Sequence, residues 1–188
     1  EQKKFTFYDC FITVNPRDKK YVLHDNYPKQ LDSRNSNDEK QNLIQSRKRE
    51  PNKVRTNNGK GHIYRTNLLV KLISLIVNKL ASLDPSGVGI EMEAGKPNWY
   101  DALNGLPALL GSSVSETMEL KRLMLFVKGS LQALKLKSSL NIVLPEEIFE
   151  FYTAIDNLLN DVSKISEFSY WDKSYKAKEE YRKKVIFG

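Results

Sequence analysis

The sequence predicts a mainly α-helical protein preceded by a short extended or β segment, and three observations predict it. Apolar residues recur at helical spacing in four stretches after residue 64. Before that point, aromatic and β-branched residues come in runs too short for helices. Only two long stretches escape both patterns: 30–61, where apolar residues almost vanish, and 87–113, which is rich in glycine.

The extended segment is read from Phe5-Thr6-Phe7-Tyr8, Phe11-Ile12-Thr13-Val14 and Tyr21-Val22-Leu23, broken by the turn-forming Asn15-Pro16-Arg17-Asp18. Residues 30–61 follow as a surface excursion, with Asn57-Asn58-Gly59 a turn. The first helix starts at Tyr64, carries Leu68, Leu69, Leu72, Ile73, Leu75, Ile76 and Leu80 on more than one face, and ends near Asp84-Pro85. A helix apolar nearly all round is expected to be buried within a larger assembly. The second begins at Ser113 with Glu116 three residues on, the spacing of a capping box, and runs toward Lys137. Pro145 suits the first turn of the third, and Glu146 and Glu147 follow where the helix dipole favours anions. The fourth covers 171–184, with Lys and Glu giving it a solvent-facing side. The division is therefore 1–63, extended or irregular and basic, and 64–188, helical.

The net charge of +7 is concentrated at the front. Residues 1–63 carry 14 Lys/Arg against 8 Asp/Glu, and residues 64–188 carry 16 against 15. The basic cluster Arg47-Lys48-Arg49 with Lys53, Arg55 and Lys60 lacks the interleaved aromatics of single-strand binding, so no nucleic-acid partner is expected. Cys10 is the only cysteine, which excludes an intrachain disulfide, and His24 and His62 are too few to complete a structural zinc site. Both histidines are expected at the surface. The most apolar run, 68–83, is interrupted by Lys71, Asn78 and Lys79 and falls short of the roughly 20 residues of a membrane span, so no membrane partner is expected and the cytoplasm is the expected compartment. Glu1 in place of a starting Met, and a chain stop directly after a charged helical run, suggest a piece of something longer.

Helix packing does not account for 87–113. The segment holds Gly87, Gly89, Gly95, Gly105 and Gly111, five of the nine glycines, with Trp99, Tyr100 and the carboxylates Glu91, Glu93 and Asp101. It far exceeds the usual ~2–8 residues between helices, and such loops are functional or disordered; its Val88, Ile90, Met92, Leu103, Leu106 and Leu109 argue against disorder. Glycines admit backbone close to a ligand, aromatic rings offer flat faces, and carboxylates supply hydrogen bonds and protons. A phosphate-binding Walker loop is excluded, because Gly89 and Gly95 are separated by five residues and Lys96 is followed by Pro97.

At these residues, GIEMEAGKPNWYDALNGLPALLGSS resembles a segment of the cellobiose-phosphorylase-like proteins and, more loosely, of the inverting (α/α)6-barrel glycosidases and glycoside phosphorylases, in which a Trp-x-Asp-x-x-Asn/Gly element carries the catalytic acid. A weaker likeness extends over Asn15-Pro16-Arg17-Asp18, Tyr64-Arg65-Thr66 and Tyr181-Arg182. The resemblance implies antiparallel helical hairpins forming part of an (α/α)6 barrel, with 87–113 as the active-site loop. A whole barrel needs about twelve helices and about four are visible, so the chain would be a fraction of one, inactive by itself, with the remainder of the same enzyme as its partner. Carried over by position, Asp101 falls on the general acid, while Trp99, Asn104 and Glu93 fall on pocket positions. Well-characterised phosphorylases have a further Asp three residues before the acid, where this chain has Asn98.

The implied reaction is inverting cleavage of an oligosaccharide. A protonated carboxylic acid donates to the leaving oxygen, and a nucleophile attacks the opposite face of the sugar. Trp99 and Tyr100 make a setting able to keep Asp101 protonated. Glu91 and Glu93, two apart, share a face of an extended segment, and either could be the base of a hydrolase or a sugar-hydroxyl ligand. No cofactor is implied; inorganic phosphate, with Lys96 as a contact, would be the co-substrate in phosphorolysis, which the resemblance favours over hydrolysis. The rival reading is a non-catalytic carbohydrate-binding or structural helical module.

Overall fold

The computed structural model describes residues 3–30, 34–91, 112–134 and 141–188. The chain is mainly helical, with small antiparallel strand pairs near the N-terminus. It divides into two compact units: Glu1–Phe5, Thr66–Ile90 and Ser113–Tyr181 form one, and Thr6–Arg65, Glu91–Ser112 and Arg182–Gly188 the other.

In the second unit, β1 (Ile12–Val14) pairs antiparallel with β4 (Arg34–Ser36), Thr13 opposite Asn35. Between them come the single turn α1 (Arg17–Lys20) and a hairpin of β2 (Tyr21–His24) and β3 (Tyr27–Gln30), with His24 opposite Tyr27. The hairpin turns through Asp25 and Asn26 at φ 52° and 63°, a pair of left-handed residues that matches the twist of the strands. The break predicted at Asn15-Pro16-Arg17-Asp18 is present between β1 and β2 and takes the form of the single turn α1: the proline presets a helical φ and its carbonyl accepts from Lys19 N.

The apolar-poor stretch contains a helix, α2 (Asp38–Gln45), that periodicity does not reveal. It needs only a cap and one anchor: Asn37 Oδ1 accepts from Lys40 N at 2.9 Å, Asp38 and Glu39 occupy the first turn, and Ile44 is buried. The described residues 38–61 of this unit are organised by charge turned inward. Asp9, 2% exposed, accepts from Lys40 Nζ through one carboxylate oxygen and from Arg47 Nη1 through the other, each at 2.8 Å. Arg47, its side chain 5% exposed, also donates to the carbonyls of Pro51 (2.7 Å), Lys53 (3.2 Å) and Gly59 (3.1 Å). Arg55 donates to the carbonyls of Arg49 (2.7 Å) and Gly61 (3.3 Å). A segment with little apolar surface thus closes on guanidinium groups that satisfy its turn carbonyls.

The turn Asn57-Asn58-Gly59 predicted from sequence is present, all three residues having positive φ. Gly59 is buried, and a β-carbon there would run into the Phe187 carbonyl oxygen and lie 2.8 Å from Arg47 Nη2. Gly59→Ala is therefore expected to destabilise this unit by roughly 2–4 kcal/mol, from left-handed strain plus overpacking. Hydrogen exchange of peptides covering 47–63 checks this, and unchanged protection would contradict it.

In the first unit, α3 (Leu68–Leu80) is the central helix and packs on both α4 (Val114–Ala133) and α5 (Glu146–Asn160). Asn67 caps α3 by accepting from Val70 N at 2.9 Å. Val70, Ser74, Val77 and Ala81 lie at i, i+4, i+7 and i+11 and form its buried stripe; the Ser74 hydroxyl donates to Val70 O. Val77 and Ala81 meet Phe151 and Ile155 of α5 in the core, with Tyr181 of α6 (Glu167–Val185) stacked on Phe151 at 4.8 Å between ring centroids. Burial pushes the Tyr181 phenol upward, partly offset by its hydrogen bond from Asn78, so it stays neutral in the core. Lys178, also buried, donates to Ser82 Oγ at 2.7 Å just beyond the end of α3, where a cation faces the negative end of the helix dipole.

Boundaries differ from the sequence expectation in definite ways. The helix expected from Tyr64 starts only after Asn67, since residues up to Thr66 are engaged in bridges, Phe5 with Thr66 and Arg55 with Ile63. Pro145 stands one residue before α5, as its cap residue rather than in its first turn. The last helix begins at Glu167, not Trp171. Within this chain α3 is not buried all round, because Leu68 and Leu75 remain half exposed.

Candidate active-site segment

Asp101, Glu93, Trp99, Tyr100, Asn104 and Lys96 fall within 92–111 and lie outside the described residues. Glu91 lies in the short strand β5 (Ile90–Glu91), which pairs with β6 (Ser112–Ser113). The described residues on either side show how the two ends of the segment are held.

After α3, the chain makes a tight turn built on Asp84. Its carboxylate accepts from the backbone N–H groups of Ser86 (2.9 Å), Val88 (3.2 Å) and Gly89, and its own N–H donates to Gly89 O at 2.8 Å. Gly87, at φ 71°, supplies the left-handed residue the turn needs. One side chain thereby occupies three donors that would otherwise need water. The turn delivers Ile90 into the interior, 1% exposed, bridged to Leu83.

At the returning end, Ser113 caps α4: its hydroxyl accepts from Glu116 N at 3.2 Å. The expected capping box is half realised, because the Glu116 carboxylate pairs with Lys79 in the last turn of α3. That ion pair holds the end of α3 beside the start of α4. Thr117 joins the two flanks directly. Its Oγ1 donates to Ser113 O at 2.9 Å and accepts from Ile90 N at 2.8 Å.

The other sequence candidates resolve plainly. His24 is exposed and 3.2 Å from Asp25, and His62 is exposed. Arg47 and Arg55 are spent on carbonyls within their own unit, leaving Lys48, Arg49 and Lys60 as the exposed members of the basic cluster. Among the described residues, no group of three His, Cys, Asp or Glu side chains could hold a metal ion, and no helix is long and apolar enough to cross a membrane. Asp84 and Thr117 were not singled out from sequence. Asp84-Pro85-Ser86-Gly87 does carry a turn signal. The role of Thr117 depends on a partner 27 residues away and has no local signature.

Comparison with known protein families, curated proteins and solved structures finds no match.

Proposed function

We propose that this chain is part of a carbohydrate-active enzyme that cleaves a glycosidic bond with inversion, with Asp101 as general acid, in a catalytic domain of (α/α)6-barrel type located in the cytoplasm. What carries the reading is the block 89–113, whose Trp99-Tyr100-Asp101 and flanking glycines resemble the acid-bearing element of that class. Two further features support it. The flanks of the block are pinned by Asp84, Ser113 and Thr117, as a segment that must present a proton donor reproducibly requires. Leu68 and Leu75 on α3, and Met118, Leu125 and Phe126 on α4, stay exposed, which suits helices on which the remainder of the same enzyme packs.

The chemistry needs neither metal nor organic cofactor. Asp101 donates its proton to the departing glycosidic oxygen, with Trp99 and Tyr100 as the aromatic residues proposed to take sugar faces and Asn104 as a proposed pocket residue. Phosphorolysis is the favoured form, with inorganic phosphate as the nucleophile and Lys96 as an anion contact. In hydrolysis, Glu91 or Glu93 would activate water. The full-length protein is expected to cleave a β-linked gluco-oligosaccharide and to release an inverted sugar 1-phosphate when phosphate is supplied. A rate independent of phosphate, with free sugar as sole product, transfers the assignment to hydrolysis. Retention of configuration contradicts the scheme, because it requires a carboxylate nucleophile roughly 5–5.5 Å from the acid.

A further inference from the structure

We propose that the solvent face of α4 is an interaction surface for a second copy of this chain, which docks on it through the solvent face of its α5. Both helices belong to the same compact unit and both pack on α3, so each turns one face inward and one outward. On α4, Leu120 and Val127 are buried, yet Met118, Leu125 and Phe126 are each more than half exposed. Met118, Lys121, Leu125 and Lys128 stand at i, i+3, i+7 and i+10, a single helix face on which apolar and cationic side chains alternate. From residue 121 onward α4 carries Lys121, Arg122 and Lys128, all exposed, and no acid. Arg122 already pairs with Glu119 at the surface, where such a pair is weak and easily exchanged.

The solvent face of α5 is the complement. The helix carries Glu146, Glu147, Glu150 and Asp156 and no Lys or Arg. With Ile148, Phe151 and Ile155 turned inward, Glu146, Phe149, Thr153 and Asp156 repeat the i, i+3, i+7, i+10 spacing on the exposed side, and exposed Tyr152 lies beside them. An acidic, aromatic face therefore meets a basic, apolar one, whereas α4 on α4 or α5 on α5 would set like charges together. In an antiparallel pairing, Phe149 enters the hole bordered by Arg122, Leu125, Phe126 and Gly129. Counting along both helices from that contact brings Glu146 beside Lys128 and the Tyr152 ring beside Arg122. Gly129 gives this hole its depth. Glycine inside a helix is less stable than alanine, and a β-carbon there would meet no described atom within 4 Å. Packing within the described chain does not call for that glycine, and an incoming ring does. The inference goes beyond the function proposed above and uses no residue of 92–111; in a longer enzyme, the remainder would take the place of the second copy on α4.

The test is analytical ultracentrifugation of the 188-residue chain with two charge-reversed variants, one Lys121→Glu with Lys128→Glu, the other Glu146→Lys with Asp156→Lys. All four positions are exposed, so each variant should keep the wild-type circular dichroism. The weight-average mass of wild type is expected to rise about twofold or more over a hundredfold rise in concentration, and less so in about 0.5 M salt. Each variant alone should stay monomeric, and an equal mixture of the two should associate again, because each then offers the face the other needs. Gly129→Leu should raise the melting temperature, through better helix propensity, and still abolish association by filling the hole. A wild type that is monomeric throughout overturns the proposal. So does association that survives either charge reversal or Gly129→Leu, and so does a mixture of the two variants that stays monomeric.

Discussion

Full-length protein carrying Asp101→Asn is expected to lose about 10²- to 10⁴-fold in kcat while unfolding at the same temperature as wild type. The two side chains are nearly isosteric, so the change removes a transferable proton and little else. The size of the loss should depend on the leaving group. A natural sugar leaving group needs its oxygen protonated as the bond breaks, whereas an aryl group that departs readily as an anion does not. Cleavage of an activated aryl glycoside should therefore fall far less than cleavage of an oligosaccharide. Steady-state rates on both substrates check this, and oligosaccharide turnover within about threefold of wild type removes Asp101 from the acid role.

The second large effect concerns stability. Asp9→Ala is expected to destabilise the unit built on residues 6–65 by about 3–5 kcal/mol, because it leaves the buried Lys40 and Arg47 side chains without their shared anion. Arg47→Met should cost a similar amount by the opposite route, leaving Asp9 with Lys40 as its one remaining cation and withdrawing a donor from the carbonyls of Pro51, Lys53 and Gly59. Chemical denaturation, followed by hydrogen exchange in peptides covering 34–63, measures both. A shift below about 1 kcal/mol for either variant would show that water reaches the cluster and screens it. Lys48→Met, a change at an exposed position, serves as the control and should be neutral.

How much could be read in the sequence depended on whether the information was local. Ser113 as the cap of the second long helix was legible, since the cap and Glu116 are three residues apart. That 68–80 is helical was legible for the same reason, but its buried stripe of Val70, Ser74, Val77 and Ala81 is not the set of leucines and isoleucines that the pattern picks out. The α2 helix was not legible, because Leu43 and Ile44 are its only apolar residues and its stability comes from a cap and from Lys40 reaching Asp9. The clustered arginines read as solvated charge, and composition could not reveal that Arg47 meets a carboxylate 38 positions earlier. In the candidate site, the chemistry-bearing residues were named from pattern and resemblance. Asp84 and Thr117, which hold its flanks, act through backbone groups, and a backbone N–H looks the same whatever residue carries it.

The seat that Gly59 offers to the Phe187 carbonyl has a consequence for how the protein is made. The unit containing that turn draws on residues 6–65 and again on 182–188, so its final contacts join segments synthesised at very different times. As the chain emerges from the ribosome, the arginine-bound turn at 47–61 must wait through the synthesis of every helix from α3 to α6 before its last packing partner arrives. Closing so long a loop is slow but costs only logarithmically more than closing a short one. The early segment is therefore expected to dwell in an unfinished form during translation, with Gly59 uncovered. A ribosome stalled before residue 187 has been made would display that intermediate as a protease-sensitive site between 55 and 61, and emergence of residues 182–188 from the ribosome would protect it.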